Sequence, residues 1–373
     1  MAKTWHAALL VRVRRLASAA RVLAEVEELT AARAEAGGPL HVASLLCAAD
    51  LAFAGGDVGT AVDLAGRGAD RAQRAGLHGF LPDAHTVTVL GALRQGDMSV
   101  SAEFADQLRD CALLGRTAHG PSQCAWVAAQ LLEVQGGPAR AAQLVVGIVT
   151  DDRLLLELLT SQPTAAAWLV RATRKLDDEV LARRVVSKSR ALAVRNPGLR
   201  SVGAAATHAA GLLEGDAHEV LAAAASHLDP WAAASAGEDA GKLFAARPAE
   251  RRCAVEAFES AADGYANAAA PRDARRVVSR LRSLGVRRGR YPQYAGQYGV
   301  NTGTLTNTEA AVAELVSQGF TNSQVGDRLF ISGHTVAFHL KKIFRKMDVA
   351  SRVELTRAWS RVPSAAPEGA KAS

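Results

Sequence analysis

The chain has 373 residues, enough for two or three domains, and is 49% hydrophobic with only 5% aromatic residues. Its four cysteines, Cys47, Cys111, Cys124 and Cys253, show no C-x-x-C spacing, which argues against a zinc site or a disulfide framework and fits a reducing cytoplasm. The net charge of +7 is lopsided: residues 1–270 carry 27 Lys and Arg against 30 Asp and Glu, whereas residues 271–373 carry 17 against 7. No apolar run approaches the ~18 residues of a membrane helix. Near the N-terminus Arg12, Arg14 and Arg15 interrupt any signal-peptide core, so residues 1–20 read as a first amphipathic helix of a soluble protein.

From there to about residue 285 the chain is a succession of Ala/Leu/Val-rich helical patterns cut by short polar turns. The turns recur at Gly56-Asp57, Gly96-Asp97, Gly136-Gly137, Asp177-Asp178 and Gly215-Asp216, at intervals of 40, 40, 41 and 38 residues, with a further turn at Arg247-Pro248. Each interval holds two helical segments, for example 41–54 followed by 58–75. A fixed period of paired helices predicts an all-α chain in which residues 1–285 form a right-handed α-solenoid, each hairpin burying its face on the next. The unit resembles tetratricopeptide-like repeats, although its period is longer and the Trp/Gly/Tyr positions of that family are not kept. Trp126 and Trp168, 42 residues apart in the first helices of successive units, are expected to pack between hairpins, with ligand stacking as the alternative. The concave side of such an array is where a peptide, a protein or a small ligand would be held.

Little in this region reads as catalytic. The nearest phosphate-binding pattern, Gly237-x-x-x-Gly241-Lys242-Leu243, has three residues between its glycines instead of four and Leu where a Mg²⁺-binding hydroxyl belongs. It also lies inside a helical repeat. Ten histidines show no ligand-type pairing, and no metal or cofactor is implied. Asp151/Asp152 and Asp177/Asp178 fall at helix starts, where negative charge is favourable. The chain therefore reads as no enzyme.

Residues 272–290 contain eight arginines, with Val277, Val278, Leu281 and Leu284 as one apolar face and Gly285 as the stop. A capping helix for the repeats with a solvated outer face is one reading, and phosphate contact beside a DNA site is the other. Residues 286–303 are rich in Gly, Gln and Tyr without periodicity, as a flexible linker would be. The tail, 363–373, is small-residue and Pro-containing, which predicts disorder.

Residues 304–362 carry helix-start signals in close succession. Thr306/Glu309, Thr321/Gln324 and Ser351/Glu354 fit the capping box, Ser332 is a simple N-cap, and Gly319 sits where the first helix should stop. Four short helices follow, the middle pair joined only by Phe330-Ile331-Ser332, which is the layout of a helix-turn-helix. Val336, Leu340, Ile343 and Met347 make one apolar stripe, while His334, Phe338, Lys341 and Arg345 follow the same spacing on another face, extended by Lys342 and Lys346. A helix of this kind, entered through a tight turn, suits docking in a major groove. The alternative is an ordinary helical bundle with a solvated charged face.

Taken together, Leu305-Thr306-x-x-Glu309, Gly319-x-Thr321-Asn322, Leu329-x-Ile331-Ser332, Thr335-Val336-x-x-His339-Leu340 and Lys346-x-x-Val349-x-Ser351-Arg352 resemble the LuxR-type helix-turn-helix without a gap from 305 to 355. The resemblance implies a DNA-binding transcriptional regulator reading double-stranded DNA with helix 333–346. It places Ala337, Phe338 and Lys341 at base edges and adds Thr321, Asn322, Ser332 and Thr335 to the contacting set. Ala337 stands where a charged residue is frequent in the family, Thr308 where Arg is, and Gly326 where Ala is. Phe338 then either presses on a thymine methyl or packs on a neighbouring helix, and His339 either makes a structural hydrogen bond or touches DNA. Residues 229–285 look like the repeat that precedes the DNA reader in large LuxR regulators, whose ATPase module is missing here.

The resemblance also implies a homodimer on DNA, with Val353, Leu355, Ala358 and Trp359 of the last helix as the dimerisation set. Packing within their own domain is the alternative. Two functions compete: a cytoplasmic transcription factor whose repeat domain senses a protein, peptide or small-molecule signal, and a helical-repeat scaffold with a degenerate DNA reader.

Overall fold

The computed structural model describes residues 2–32, 38–97, 104, 107–111, 120–286, 307–329, 336, 337, 340, 343, 344, 347, 349 and 351–359. They fall into two compact units, Met1–Arg288 and Gly289–Ser373. All regular structure among the described residues is helical, as the sequence predicts. The predicted linker, apart from Val286, and the predicted tail lie outside the described residues.

In the first unit α1 (Ala2–Arg12), α2 (Leu16–Ala32), α3 (Pro39–Gly55), α4 (Val58–Arg74) and α5 (Leu81–Gln95) come first. Beyond residue 120 follow α6 (Pro121–Gly136), α7 (Pro138–Thr150), α8 (Asp152–Ser161), α9 (Ala165–Lys175) and α10 (Glu179–Arg195). The unit ends with α11 (Arg200–Glu214), α12 (Ala217–Ser226), α13 (Pro230–Ala245), α14 (Arg251–Asn267) and α15 (Pro271–Ser283). The turn aspartates explain where these helices start. Asp57 accepts from the Thr60 N–H, Asp151 from Arg153 and Leu154, Asp178 from Leu181, and Asp216 from His218 and Glu219. Each carboxylate thus satisfies donors that no helical carbonyl can reach, which is the role the paired acids at 151/152 and 177/178 suggest in sequence.

Helices pair with their chain neighbours, α3 with α4, α6 with α7, α11 with α12 and α13 with α14. They also touch the helix two further on, as α1 does α3, α3 does α5, and α9 does α11. Hairpins therefore share buried faces in sequence order. Alanine makes the approach close: Ala236, Ala240, Ala254, Ala257, Ala261 and Ala262 are all within 4% of full burial at the α13–α14 contact. Gly237 and Gly241 are part of that packing and not of a phosphate cradle. A Cβ on Gly241 would lie 2.6 Å from the Phe258 ring, and one on Gly237 would lie 3.4 Å from the Ala261 Cβ.

One contact departs from a purely neighbour-to-neighbour array. Helix α15 packs back on α5. Arg272 reaches the Leu93 carbonyl at 3.5 Å, across 179 residues of sequence, and Arg14, after α1, pairs with Asp229 at the head of α13. Early and late helices of the unit thus meet. The fixed period has no residue that announces this closure.

Candidate nucleic-acid interface

The second unit starts with α16 (Asn307–Ser317). It stops at Gly319, whose φ of 93° is the left-handed conformation that ends a helix. Helix α17 (Asn322–Leu329) opens with a complete capping box. The Thr321 N–H donates to Gln324 Oε1 at 2.9 Å, and the Gln324 N–H donates to Thr321 Oγ1 at 3.3 Å. At the start of α18 (Arg352–Trp359) the Glu354 N–H donates to Ser351 Oγ at 3.2 Å. The Thr306 and Ser332 caps fall on residues outside the described set.

Between α17 and α18 the described residues Val336, Ala337, Leu340, Ile343, Phe344 and Met347 are helical. The predicted stripe is the one that faces inward. Val336, Leu340 and Ile343 are buried against Val312, Leu315 and Val316 of α16, Val325 of α17, and Leu355 and Trp359 of α18, with Met347 packed alongside. Ala337 is exposed. Val336, Leu340 and Ile343 are therefore held by α16, α17 and α18, while Ala337 looks outward.

Two side chains fix how α18 sits. Trp359 Nε1 donates to Glu314 Oε2 at 2.5 Å, joining α18 to α16. Arg352 donates to Asn322 Oδ1 at 3.0 Å and to the Phe320 carbonyl, joining α18 to the turn before α17. The same turn is covered from the other side by the Arg328 guanidinium, 3.7 Å from the centre of the Phe320 ring.

These contacts assign structural work to two of the predicted DNA-binding residues: the Thr321 hydroxyl caps α17, and the Asn322 carbonyl oxygen accepts from Arg352. Ser332, His334, Thr335, Phe338, His339, Lys341, Lys342, Arg345 and Lys346 lie outside the described residues. In the predicted dimerisation set, Leu355 and Trp359 are buried in their own domain, at 0% and 6% exposure, so the alternative of packing within the domain describes them. Val353 is 61% exposed. The side chain of Ala358 is outside the described set.

The first unit holds a concentration of buried charge that the sequence reading passes over. Glu238 and Asp239, adjacent on α13, are buried to 1% and 2% exposure. Arg276 of α15 donates to Glu238 at 2.9 and 2.5 Å, and Tyr265 of α14 adds its hydroxyl at 3.0 Å. Asp239 is paired with Arg171 of α9, with Lys242 at 3.0 Å and with His208 of α11 at 3.1 Å. Burial alone would raise both carboxyls. The cations outweigh it, holding Glu238 down to about 2 and Asp239 well below the usual carboxylate range. Lys242, the lysine of the phosphate-binding pattern, is thus committed to two carboxylates of its own helix.

A small four-helix unit with capped turns and an inward-facing stripe on its third helix is a helix-turn-helix. Residues 303–359 match the family of bacterial regulatory proteins called luxR (GerE), and this segment is a LuxR-type DNA-binding domain. An HTH-type transcriptional regulator of Mycobacterium bovis is 47% identical over 53 residues, 14% of this chain and 6% of that protein. The nitrate/nitrite response regulator protein homolog of Haemophilus influenzae is 40% identical over 53 residues, 14% of this chain and 26% of that protein. The transcriptional regulatory protein LiaR of Bacillus subtilis is 32% identical over 79 residues, 21% of this chain and 32% of that protein. The chain thus spans a small fraction of these relatives' length. No solved structure matches it. Among the described residues no helix is long and apolar enough to cross a membrane.

Proposed function

We propose that the protein is a cytoplasmic transcriptional regulator that docks helix 333–346 in the major groove of double-stranded DNA, and that its helical-repeat unit senses a ligand or a protein partner. The observation that supports the DNA-binding part is the burial of Val336, Leu340 and Ile343 beside an exposed Ala337. On a 3.6-residue period Lys341 and Arg345 then fall off the buried stripe and on the side of the cationic face. Phe338 and Lys341 read base edges, and His334, Ser332, Thr335, Lys342, Arg345 and Lys346 contact the backbone or its neighbourhood. Thr321 and Asn322 act at the interface through the turn they hold. The basic excess of residues 271–373 supplies the electrostatic part of affinity.

The regulator works as a homodimer on DNA, with the exposed Val353 of the last helix available to a partner. No catalytic step is assigned to it. Genome-wide recovery of DNA bound to the protein in cells tests the reading: a short recurrent operator with two half-sites about one helical turn apart is the expected result. Recovery of no enriched fragments would favour a repeat scaffold with a degenerate reader, a role consistent with Ala337 at a base-reading position.

A further inference from the structure

Where α15 meets α5, the first unit holds a partly open cavity of about 930 Å³, within the size range that holds a drug-sized ligand. Ten Lys and Arg residues line it against six Asp and Glu, so the wall carries a cationic excess. The acids have partners. Asp229 pairs with Arg14, Glu133 with Lys175 at 2.5 Å, Asp273 with Arg276 at 2.5 Å, and Glu238 and Asp239 with the cations already described.

Arg94, at the end of α5, differs: Asp229 and Asp273 act on its charge through space, without a hydrogen bond to it. Its guanidinium lies 3.9 Å from the centre of the Phe53 ring and 5.2 Å from that of Trp231, and no carboxylate or carbonyl among the described residues accepts from it. A guanidinium cannot shed its proton. Here a fixed positive charge lies over two rings, and among the described residues its N–H groups have no acceptor. Trp231 is itself anchored, its Nε1 donating to Asp273 Oδ2 at 2.9 Å. The cavity wall has two more donors without acceptors, Trp126 Nε1 and Gln130 Nε2, one turn apart on α6. Trp126 is 7% exposed. Leu90, Leu93 and Trp168 add apolar and aromatic surface to the same wall.

We infer that this cavity binds a small organic anion with a flat apolar body, its carboxylate taken by Arg94 and its body lying against Phe53, Trp168 and Trp231. A guanidinium fork matches a carboxylate in two parallel hydrogen bonds, which a neutral head group cannot reproduce. The inference rests on the reading of the repeat unit as the sensing part of a regulator, and it gives that part a ligand class.

Isothermal calorimetry of the full chain with 1-naphthoate as probe, and 1-naphthamide as its neutral isostere, tests it. The expected result is saturable binding of one naphthoate per chain, at least tenfold weaker binding of the amide, and a tenfold or greater loss of naphthoate affinity in Arg94→Gln. If Arg94→Gln does not fold, the acid–amide comparison decides. No saturable binding of naphthoate, equal affinity for the amide, or full affinity in a folded Arg94→Gln would overturn the proposal. Retention of chromosomal DNA fragments by the same preparation separates the two readings. DNA retention without naphthoate binding sinks the cavity and keeps the regulator, and naphthoate binding without DNA retention does the reverse.

Discussion

Arg352 donates to Asn322 Oδ1 at 3.0 Å, and through that bond the last helix of the second unit holds the residue that starts α17. The guanidinium also takes the Phe320 carbonyl, which the helix stop at Gly319 leaves without a helical partner. Asn322 is thereby part of the turn's construction.

Replacing Arg352 by Ala leaves both acceptors unpaired in a partly buried turn. Hydrogen bonds to charged groups are worth about 1.5–3 kcal/mol each, so the second unit should lose about that much stability at least once over. Amide hydrogen exchange over residues 307–359 of the full chain measures it, as faster opening of α17 and α18 with the first unit unaffected. Unchanged protection would mean that the capping box of Thr321 and Gln324 holds the turn without Arg352.

Leu355 and Val353 sit two residues apart on one helix and should respond in opposite ways. Leu355 is fully buried, so Leu355→Ala is expected to cost about 2–5 kcal/mol of domain stability. Val353 is exposed, and Val353→Asp should leave folding within about 0.5 kcal/mol while weakening the proposed dimer on DNA. Hydrogen exchange and sedimentation on an operator fragment separate the two effects. A dimer that survives Val353→Asp unchanged would move the dimer contact elsewhere.

The glycines at 237 and 241 look like part of a phosphate loop in sequence and act as a helix contact in the structure. Gly241→Ala puts a methyl 2.6 Å from the Phe258 ring and should cost about 1–3 kcal/mol through overpacking. Thermal melting of the first unit checks the loss. Gly59→Ala, whose added methyl would meet only the Asp57 side chain at 3.8 Å, is the control and should be close to neutral. A neutral Gly241→Ala would contradict the close α13–α14 approach.

Acid should weaken the first unit in two stages. Burial lowers His227 to about 3 and His85 to about 4, from an ordinary 6.5. Both imidazoles are neutral in the fold, and the unfolded chain takes up their protons first. Their stability contribution is therefore complete above pH 6.5 and falls as pH drops toward 4, by about 1.4 kcal/mol per pH unit for each group at the steepest. Glu238, held down to about 2, contributes above its ordinary 4.5 and loses that contribution as pH falls further. Calorimetric melting between pH 7 and 3 should show both slopes, and His85→Gln with His227→Gln should flatten only the first. A melting temperature that stays level from pH 6.5 to 4.5 would contradict the burial of these rings.

Much of the second unit is legible in sequence because its signals are local. Thr321/Gln324, Ser351/Glu354 and Gly319 act within a turn of where they stand, and the Val336–Leu340–Ile343 stripe needs only a period of 3.6 to be read. Helix starts of the first unit are visible for the same reason, since Asp57 and Asp216, each after a Gly, cap the helix that follows. What stays hidden is long-range. Nothing near Arg94 in sequence says that Phe53 and Trp231 will bracket it, because they come from helices α3 and α13. Glu238 and Asp239 look like solvated charge on a helix until α9, α11 and α15 bring Arg171, His208 and Arg276 to them. Trp126 and Trp168 are predicted as packing residues from their 42-residue spacing. Trp126 is indeed buried, but both also line the cavity, a position that depends on α15 returning to α5.

Docking on DNA by the face opposite the Val336, Leu340 and Ile343 stripe, as proposed, is tested most directly by a salt titration of binding to recovered chromosomal fragments. With three or four phosphate contacts per subunit of a dimer, log affinity should fall with log salt at a slope of about −5 to −7, at roughly −0.9 per contact. Lys341→Ala with Arg345→Ala should abolish binding while helical content is unchanged. A slope near zero, or binding that persists in the double variant, would contradict the account.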